Sequence, residues 1–398
     1  MSFLSYLPDW LKLLFKLPRH SVVAAWERFL GRKVVVFHIE LAGQAAYISS
    51  IVRNLQSRKN APSIYLVVGN RIRINHSVAA AIVGVSKQKV LSWNHLGILR
   101  MIDVFVTPTQ WICDPPGARH RICIFHGQPT KGITFLPELI SNFTTLFLLG
   151  PLQHRLYEEF SKTYSSIAHN IKTYNIGFPK SDALIKGDYS KKQVLSTLTL
   201  DATMPVILYA PTWDKGSALD MYGELVIEKL LDSNANILVK LHYMSYESMS
   251  IPDEPTWHER LRKFEGNRRF RHLGNQPIDP YLVASDVLVT DISSASFEFM
   301  ILDKPVVFID CPDFFNNTLG SARYVRRGDD VLNDIRANAG RSAGLVVPEP
   351  AYLPDAIKRS LQNPGEFSAL RRAVRDQLLY NPGRATEAAA EALLDLIR

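Results

Sequence analysis

Residues Ser285 to Asp310 read SDVLVTDISSASFEFMILDKPVVFID. Val287, Leu288 and Val289 form a short apolar run that suits a buried parallel strand. The chain breaks at Asp291-Ile292-Ser293-Ser294, and Ser293 or Ser294 is placed to cap the helix that follows. Phe297, Met300 and Ile301 share one helical face, and Lys304-Pro305 ends the helix. Val306 to Ile309 is the next strand. The unit is βαβ, with a hydroxyl-rich helix start at the carboxyl end of a strand. Free backbone N–H groups and the positive end of the helix dipole meet there, which suits a phosphate. A capped helix without a ligand has the same local pattern, so the reading depends on what else points to this place.

The same alternation extends in both directions. Upstream, strands are expected at Lys33 to Glu40, Ser63 to Val68, Val90 to Trp93, Asp103 to Thr107, Arg121 to Phe125 and Thr145 to Leu149. Helices are expected at Ala42 to Leu55 and Pro151 to Phe160. This is one α/β domain with a parallel sheet covered on both faces. Residues 180 to 204 are polar and read as a linker with a short helix. The alternation restarts with strands at Pro205 to Tyr209 and Ala235 to Leu241. Helices follow at Leu219 to Leu231 and Pro280 to Ala284, and Leu345 to Val347 is the last strand. The tail from Pro354 reads as helix, broken at Pro364 and at Asn381-Pro382-Gly383. The expected division is a basic amphipathic segment (1–30), a first Rossmann-like domain (31–180), a second (181–375) and a C-terminal helix (376–398). Ligands usually collect in the cleft between two such domains.

The 398 residues are 46% hydrophobic and 21% charged, an ordinary globular balance with room for two good cores. Cys113, Cys123 and Cys311 are odd in number and lack metal-ligand spacing, which points to a reducing compartment without a disulfide framework. No stretch approaches the ~20 apolar residues that span a bilayer, and no secretory signal is apparent. The formal net charge is +8. Lys12, Lys16, Arg19, Arg28, Arg32 and Lys33 face only Glu27 between residues 10 and 33. Phe3, Trp10, Leu11, Leu14 and Phe15 interleave with these lysines. An interfacial helix on an anionic membrane has this composition, and so does a helix packed on the protein's own core.

Four strand ends carry candidate chemistry. His126-Gly127-Gln128-Pro129-Thr130-Lys131-Gly132 directly follows the strand ending at Phe125. Ligands bind at that end of open α/β sheets. Gly127 lets the backbone approach a ligand, Lys131 supplies a cation, and His126 is a candidate general base because it titrates near neutrality. Thr212 follows the strand ending at Tyr209. Lys240 and His242 lie at the end of the next, where each can donate to a phosphate oxygen. With Ser293 and Ser294 they would converge on one anion site. Glu298, one turn further, would accept hydrogen bonds from ribose hydroxyls, by analogy with nucleotide sites on such sheets, or would simply satisfy the helix dipole.

HGQPTKG, GFPKSD (Gly177 to Asp182), YAPTW (Tyr209 to Trp213), KLH and the opening stretch, in this order and spacing, resemble the CDP-glycerol:poly(glycerophosphate) glycerophosphotransferase family of teichoic-acid and capsule synthesis. GRATE, Gly383 to Glu387, is similar to that family's terminal arginine motif and singles out Arg384. The resemblance runs from about residue 120 to the end. It implies a GT-B fold with the nucleotide on the second domain. It also implies transfer of a polyol phosphate from a CDP-linked donor, with release of CMP, to a hydroxyl of a lipid-linked saccharide or growing polymer. On that resemblance His126 would activate the acceptor hydroxyl. His242, Thr212, Ser293 and Ser294 would bind the pyrophosphate, and Glu298 or Asp291 the sugar. No tightly bound cofactor is implied, although a free divalent ion such as Mg2+ could assist. The place of work would be the cytoplasmic face of the plasma membrane. Tyr243, Ile292 and Asp214 stand where the family usually has proline, tyrosine and a basic residue, which leaves ribitol phosphate open beside glycerol phosphate.

Two other classes remain. One is a GT-B glycosyltransferase using a nucleotide sugar. The other is a non-catalytic basic protein of membrane surfaces or polyanions. Nucleic acid is not an expected partner, because the chain lacks aromatics interleaved on a basic stripe.

Overall fold

The computed structural model describes residues 27, 31–40, 42–69, 75–93, 102–112, 117–127, 135–247, 255–314 and 340–398. Lys131, Cys113 and the amphipathic segment, apart from Glu27, lie outside these residues.

The first sheet has seven parallel strands in the order β3-β2-β1-β4-β5-β6-β7. They are β1 (Val34–Ile39), β2 (Ser63–Val68), β3 (Val90–Ser92), β4 (Ile102–Thr107), β5 (Ala118–Cys123), β6 (Thr145–Leu148) and β7 (Lys172–Asn175). β1, β2 and β4 are buried along their whole length, as continuous apolar runs require when both faces are covered. The second sheet runs β10-β9-β8-β11-β12-β13. Its strands are β8 (Val206–Tyr209), β9 (Asn236–Val239), β10 (Phe270–His272), β11 (Val287–Thr290), β12 (Val306–Ile309) and β13 (Leu345–Val347). This is the doubly wound order, and it reverses between β8 and β11, where the carboxyl ends open a crevice.

The opening stretch forms the expected unit. β11 pairs with β12 in parallel, joined by the helix Ala295–Ile301. That helix is buried at every position. Its cap position falls on one of the two expected serines. Ser294 occupies the cap position but makes no side-chain cap bond, and Ser293 Oγ accepts from Ala295 N at 3.3 Å. β7 and β10 are the strands that the sequence reading did not place. KTYN and FRH are short edge segments with polar, half-exposed residues, so neither shows a buried-strand pattern. The expected helix 219–231 is two, Ala218–Tyr222 and Leu225–Leu231, parted at Gly223 with φ +55°.

The C-terminal tail returns to the first domain. Helix Ser368–Leu378 packs on Ala295–Ile301 of the second domain and on Pro151–Thr163 of the first. The expected boundary at 375/376 falls inside it. Helix Ala385–Leu396 then packs on Ala45–Gln56, beside β1. One hydrophobic cluster joins the sheets, with Leu146, Leu148 and Leu152 on one side and Leu208, Phe297 and Met300 on the other.

Candidate active site

The carboxyl ends of the two sheets meet around the segment that links them. His126 lies three residues past β5. Phe125 before it is buried and has φ +55°, a backbone conformation that costs a non-glycine residue energy. The packing of its ring edge-on to Phe135, centroids 5.8 Å apart, holds it there. The turn at Phe125 carries the chain out of the sheet and presents the imidazole.

His126 Nδ1 lies 2.8 Å from the Pro108 carbonyl oxygen, in the loop after β4. A carbonyl only accepts, so Nδ1 carries the proton and Nε2 of the neutral ring is the base. The ring is accessible to solvent, yet the protein around its recess displaces enough water to lower its pKa below the ordinary value. The Pro108 bond works in the opposite direction. The net effect keeps the ring neutral near pH 7.

His242 has the complementary tautomer. Its Nδ1 accepts from Met244 N at 3.2 Å, so in the neutral ring Nε2 carries the proton and can donate. The ring stacks on Trp213, centroids 6.1 Å apart, and meets the Tyr243 ring at a tilt, 4.6 Å apart. Tyr243 thus flanks the histidine. Lys240 curls so that Nζ donates to the Leu241 carbonyl at 2.8 Å, and burial, then the charge of Lys180, lowers its pKa to about 8.

Asp291 is tied to backbone amides. Its carboxylate is buried and accepts from Thr212 N at 2.8 Å, Ile292 N at 2.6 Å and Ala218 N at 3.0 Å. It braces the loops after β8 and β11 across the switch crevice. Thr212 is buried beside it, and Ser293 and Ser294 are partly exposed at the helix start. Arg384 lies at the surface. Its side chain is 76% exposed and pairs with Glu387 at 3.2 Å. The motif's buried work is done by the next residues, since Asp182 caps the tail helix by accepting from Ala385 N and Thr386 N.

Glu298 is buried, and its Oε2 receives Lys180 Nζ at 2.6 Å. Lys180 Nζ also lies 3.3 Å from Asp279 and 5.5 Å from the Tyr47 ring centroid. Tyr47 in turn is 6.4 Å, ring to ring, from His126. A continuous row therefore runs from His126 through Tyr47 and Lys180 to Glu298. The sequence reading missed Tyr47, Lys180 and Asp279. The cation in GFPKSD was the available signal, but its carboxylate partners are 99 and 118 positions away. Among the described residues, no group of three or more His, Cys, Asp or Glu is arranged to hold a metal ion.

Two parallel doubly wound sheets joined by a linker define the GT-B fold. Solved structures agree at the level of fold. The wall teichoic acid polymerase TagF superposes with a TM-score of 0.63 over 97% of this chain and 94% of its own, at 17% identity. A sequence profile of the CDP-glycerol:poly(glycerophosphate) glycerophosphotransferase family matches residues 156–318. Over that segment the chain is similar to this family. It is 29% identical over 153 residues to the teichoic acid glycerol-phosphate primase of Bacillus spizizenii, 37% of each chain. It is 25% identical over 187 residues to a UDP-N-acetylglucosamine–N-acetylmuramyl-(pentapeptide) pyrophosphoryl-undecaprenol N-acetylglucosamine transferase of Bacillus cereus. That match covers 47% of this chain and 46% of the transferase. The chain thus spans less than half the length of these curated relatives in the matched region.

Proposed function

We propose that the protein transfers a polyol phosphate, glycerol phosphate in the first instance, from a CDP-linked donor to a hydroxyl of a lipid-linked saccharide or growing cell-surface polymer. The observation that carries this reading is the His126–Pro108 hydrogen bond. It leaves a neutral Nε2 base at a strand end that the Tyr47–Lys180 row connects to the second domain's switch crevice. Nε2 takes the acceptor's proton as the hydroxyl oxygen attacks the β-phosphorus. The bond from that phosphorus to the bridging oxygen breaks, and CMP leaves. Phosphoryl transfer asks mainly for positioning and charge stabilisation. Nε2–H of His242, Lys240, Lys131 and the hydroxyls of Thr212, Ser293 and Ser294 supply the donors, with Gly127 giving close backbone approach. Glu298 accepts from the ribose. A divalent ion, where one takes part, would arrive with the pyrophosphate.

The match to the N-acetylglucosamine transferase favours a second reading, transfer of a sugar from a nucleotide sugar on the same scaffold. One assay separates the two: CMP, UMP, CDP and UDP release from a panel of CDP- and UDP-linked donors, with a polyprenyl-linked acceptor. CMP release from CDP-glycerol or CDP-ribitol, reduced about 10²–10⁴-fold in His126→Ala and also lost in His242→Ala, is expected. Release of UDP or CDP from a nucleotide sugar would sink the phosphotransferase reading.

A further inference from the structure

Lys180 belongs to neither sheet. It lies in the segment between β7 and β8, in the turn Pro179–Ser181, and its side chain is only 8% exposed. A lysine on a linker is normally solvated. This one is driven inward against three elements. Glu298 faces it from the helix after β11, Asp279 from the start of helix Asp279–Ala284, and Tyr47 from the helix after β1. Tyr189 and Lys240 are the other titratable groups whose charges reach it.

The cluster holds one cation and two carboxylates. Burial opposes the lysine's charge, but Glu298 and Asp279 overcome it and hold its pKa well above the ordinary value. Burial pushes the Glu298 carboxyl upward, Lys180 opposes that, and Asp279 adds to it. Lys180 is therefore what makes a buried carboxylate at position 298 tenable. It engages Oε2, so the carboxylate's orientation is set from the linker.

We infer that Lys180 is a positioning residue for the donor, holding the Glu298 carboxylate in place to accept the ribose hydroxyls of a cytidine nucleotide. The inference rests on the reading above that Glu298 contacts the donor ribose. It deepens that reading by assigning ribose recognition to a pair in which one partner lies on the domain linker. Donor recognition then depends on how the two domains are set relative to each other.

The test is calorimetric titration of the purified chain with CDP and with 2′,3′-dideoxy-CDP. The wild type is expected to prefer CDP by roughly tenfold or more, the size of a charge-assisted hydrogen bond. In Lys180→Met this preference falls towards unity, as it does in Glu298→Gln. The double variant loses no more than either single one, because the two act as a unit. Lys180→Arg keeps a cation there and restores much of the preference. Equal weakening of both nucleotides in Lys180→Met, with the preference intact, would assign Lys180 a merely structural role and overturn the inference. Binding by the wild type without any preference would remove Glu298 from the ribose site, and the inference with it. No binding of either nucleotide would instead refute the proposed donor class itself. Should Lys180→Met not fold, Lys180→Met/Asp279→Asn leaves a single buried carboxylate without its cation and is read in the same way.

Discussion

At the scale of single residues, the two histidines are distinguished by backbone partners rather than by residue type. A carbonyl at His126 Nδ1 makes a base of Nε2, and an amide at His242 Nδ1 makes a donor of Nε2. The pH dependence follows from two groups. His126 acts when neutral, and displacement of water by the protein around its recess lowers its pKa, so kcat/KM should fall only as pH drops through a value below 6.5. Lys240 acts when charged, and its pKa is about 8, so donor capture should fall as pH rises through that value. The expected kcat/KM profile is a bell with its alkaline limb near pH 8. Lys240→Met should weaken donor capture and abolish that limb. An unchanged alkaline limb in the variant would assign the limb to another group.

At the scale of elements, the switch crevice is held open by Asp291. One carboxylate replaces the hydrogen bonds that three loop amides cannot make to a sheet. Asp291→Ala leaves Thr212 N, Ala218 N and Ile292 N without this partner in a buried place. A loss of about 3 kcal/mol in unfolding free energy is expected, read from a lower urea midpoint with unchanged slope. Cytidine nucleotide affinity should fall with it, since Thr212 and Ser293 would no longer be held in register. A stability loss with nucleotide affinity unaltered would separate the brace from the donor site.

At the scale of the whole molecule, the chain is tied together by its own tail. Gly177 has φ +99°, and a Cβ there would lie 2.0 Å from the Tyr380 carbonyl oxygen. Gly150 likewise faces the backbone of Leu378, with 2.1 Å to its carbonyl carbon. Glycine is required at both places because the returning tail passes directly over them. Asn381 then donates to the carbonyls of Asn175 and Ile176, closing the crossing. Attachment to the membrane is also a whole-molecule matter. Among the described residues, no helix is long and apolar enough to cross a bilayer. The basic, aromatic-rich residues 1–18 are the proposed surface anchor. Their deletion should weaken co-sedimentation with anionic vesicles while leaving cytidine nucleotide binding intact. Equal sedimentation of both forms would remove the anchor.

The sequence by itself determined the two parallel sheets, because buried strands must be written as apolar runs and their helices as periodic ones. Ser63–Val68 and Leu345–Val347 emerge with the boundaries that the pattern predicts. It also placed His126, Thr212, His242 and Ser293 at strand ends, since a strand end is a local property. Only the tertiary structure decided which side chains face each other. Asp291 and Glu298 are both carboxylates beside one helix start, yet one is spent on backbone amides and the other on a linker lysine. Arg384 carries a motif and stays in solvent, while Asp182 from another motif caps its helix. Partners so far apart in sequence leave no periodic trace, because their pairing is an outcome of packing. The tautomers of the two histidines were invisible for the same reason: each is set by a single backbone group whose position exists only in the folded chain.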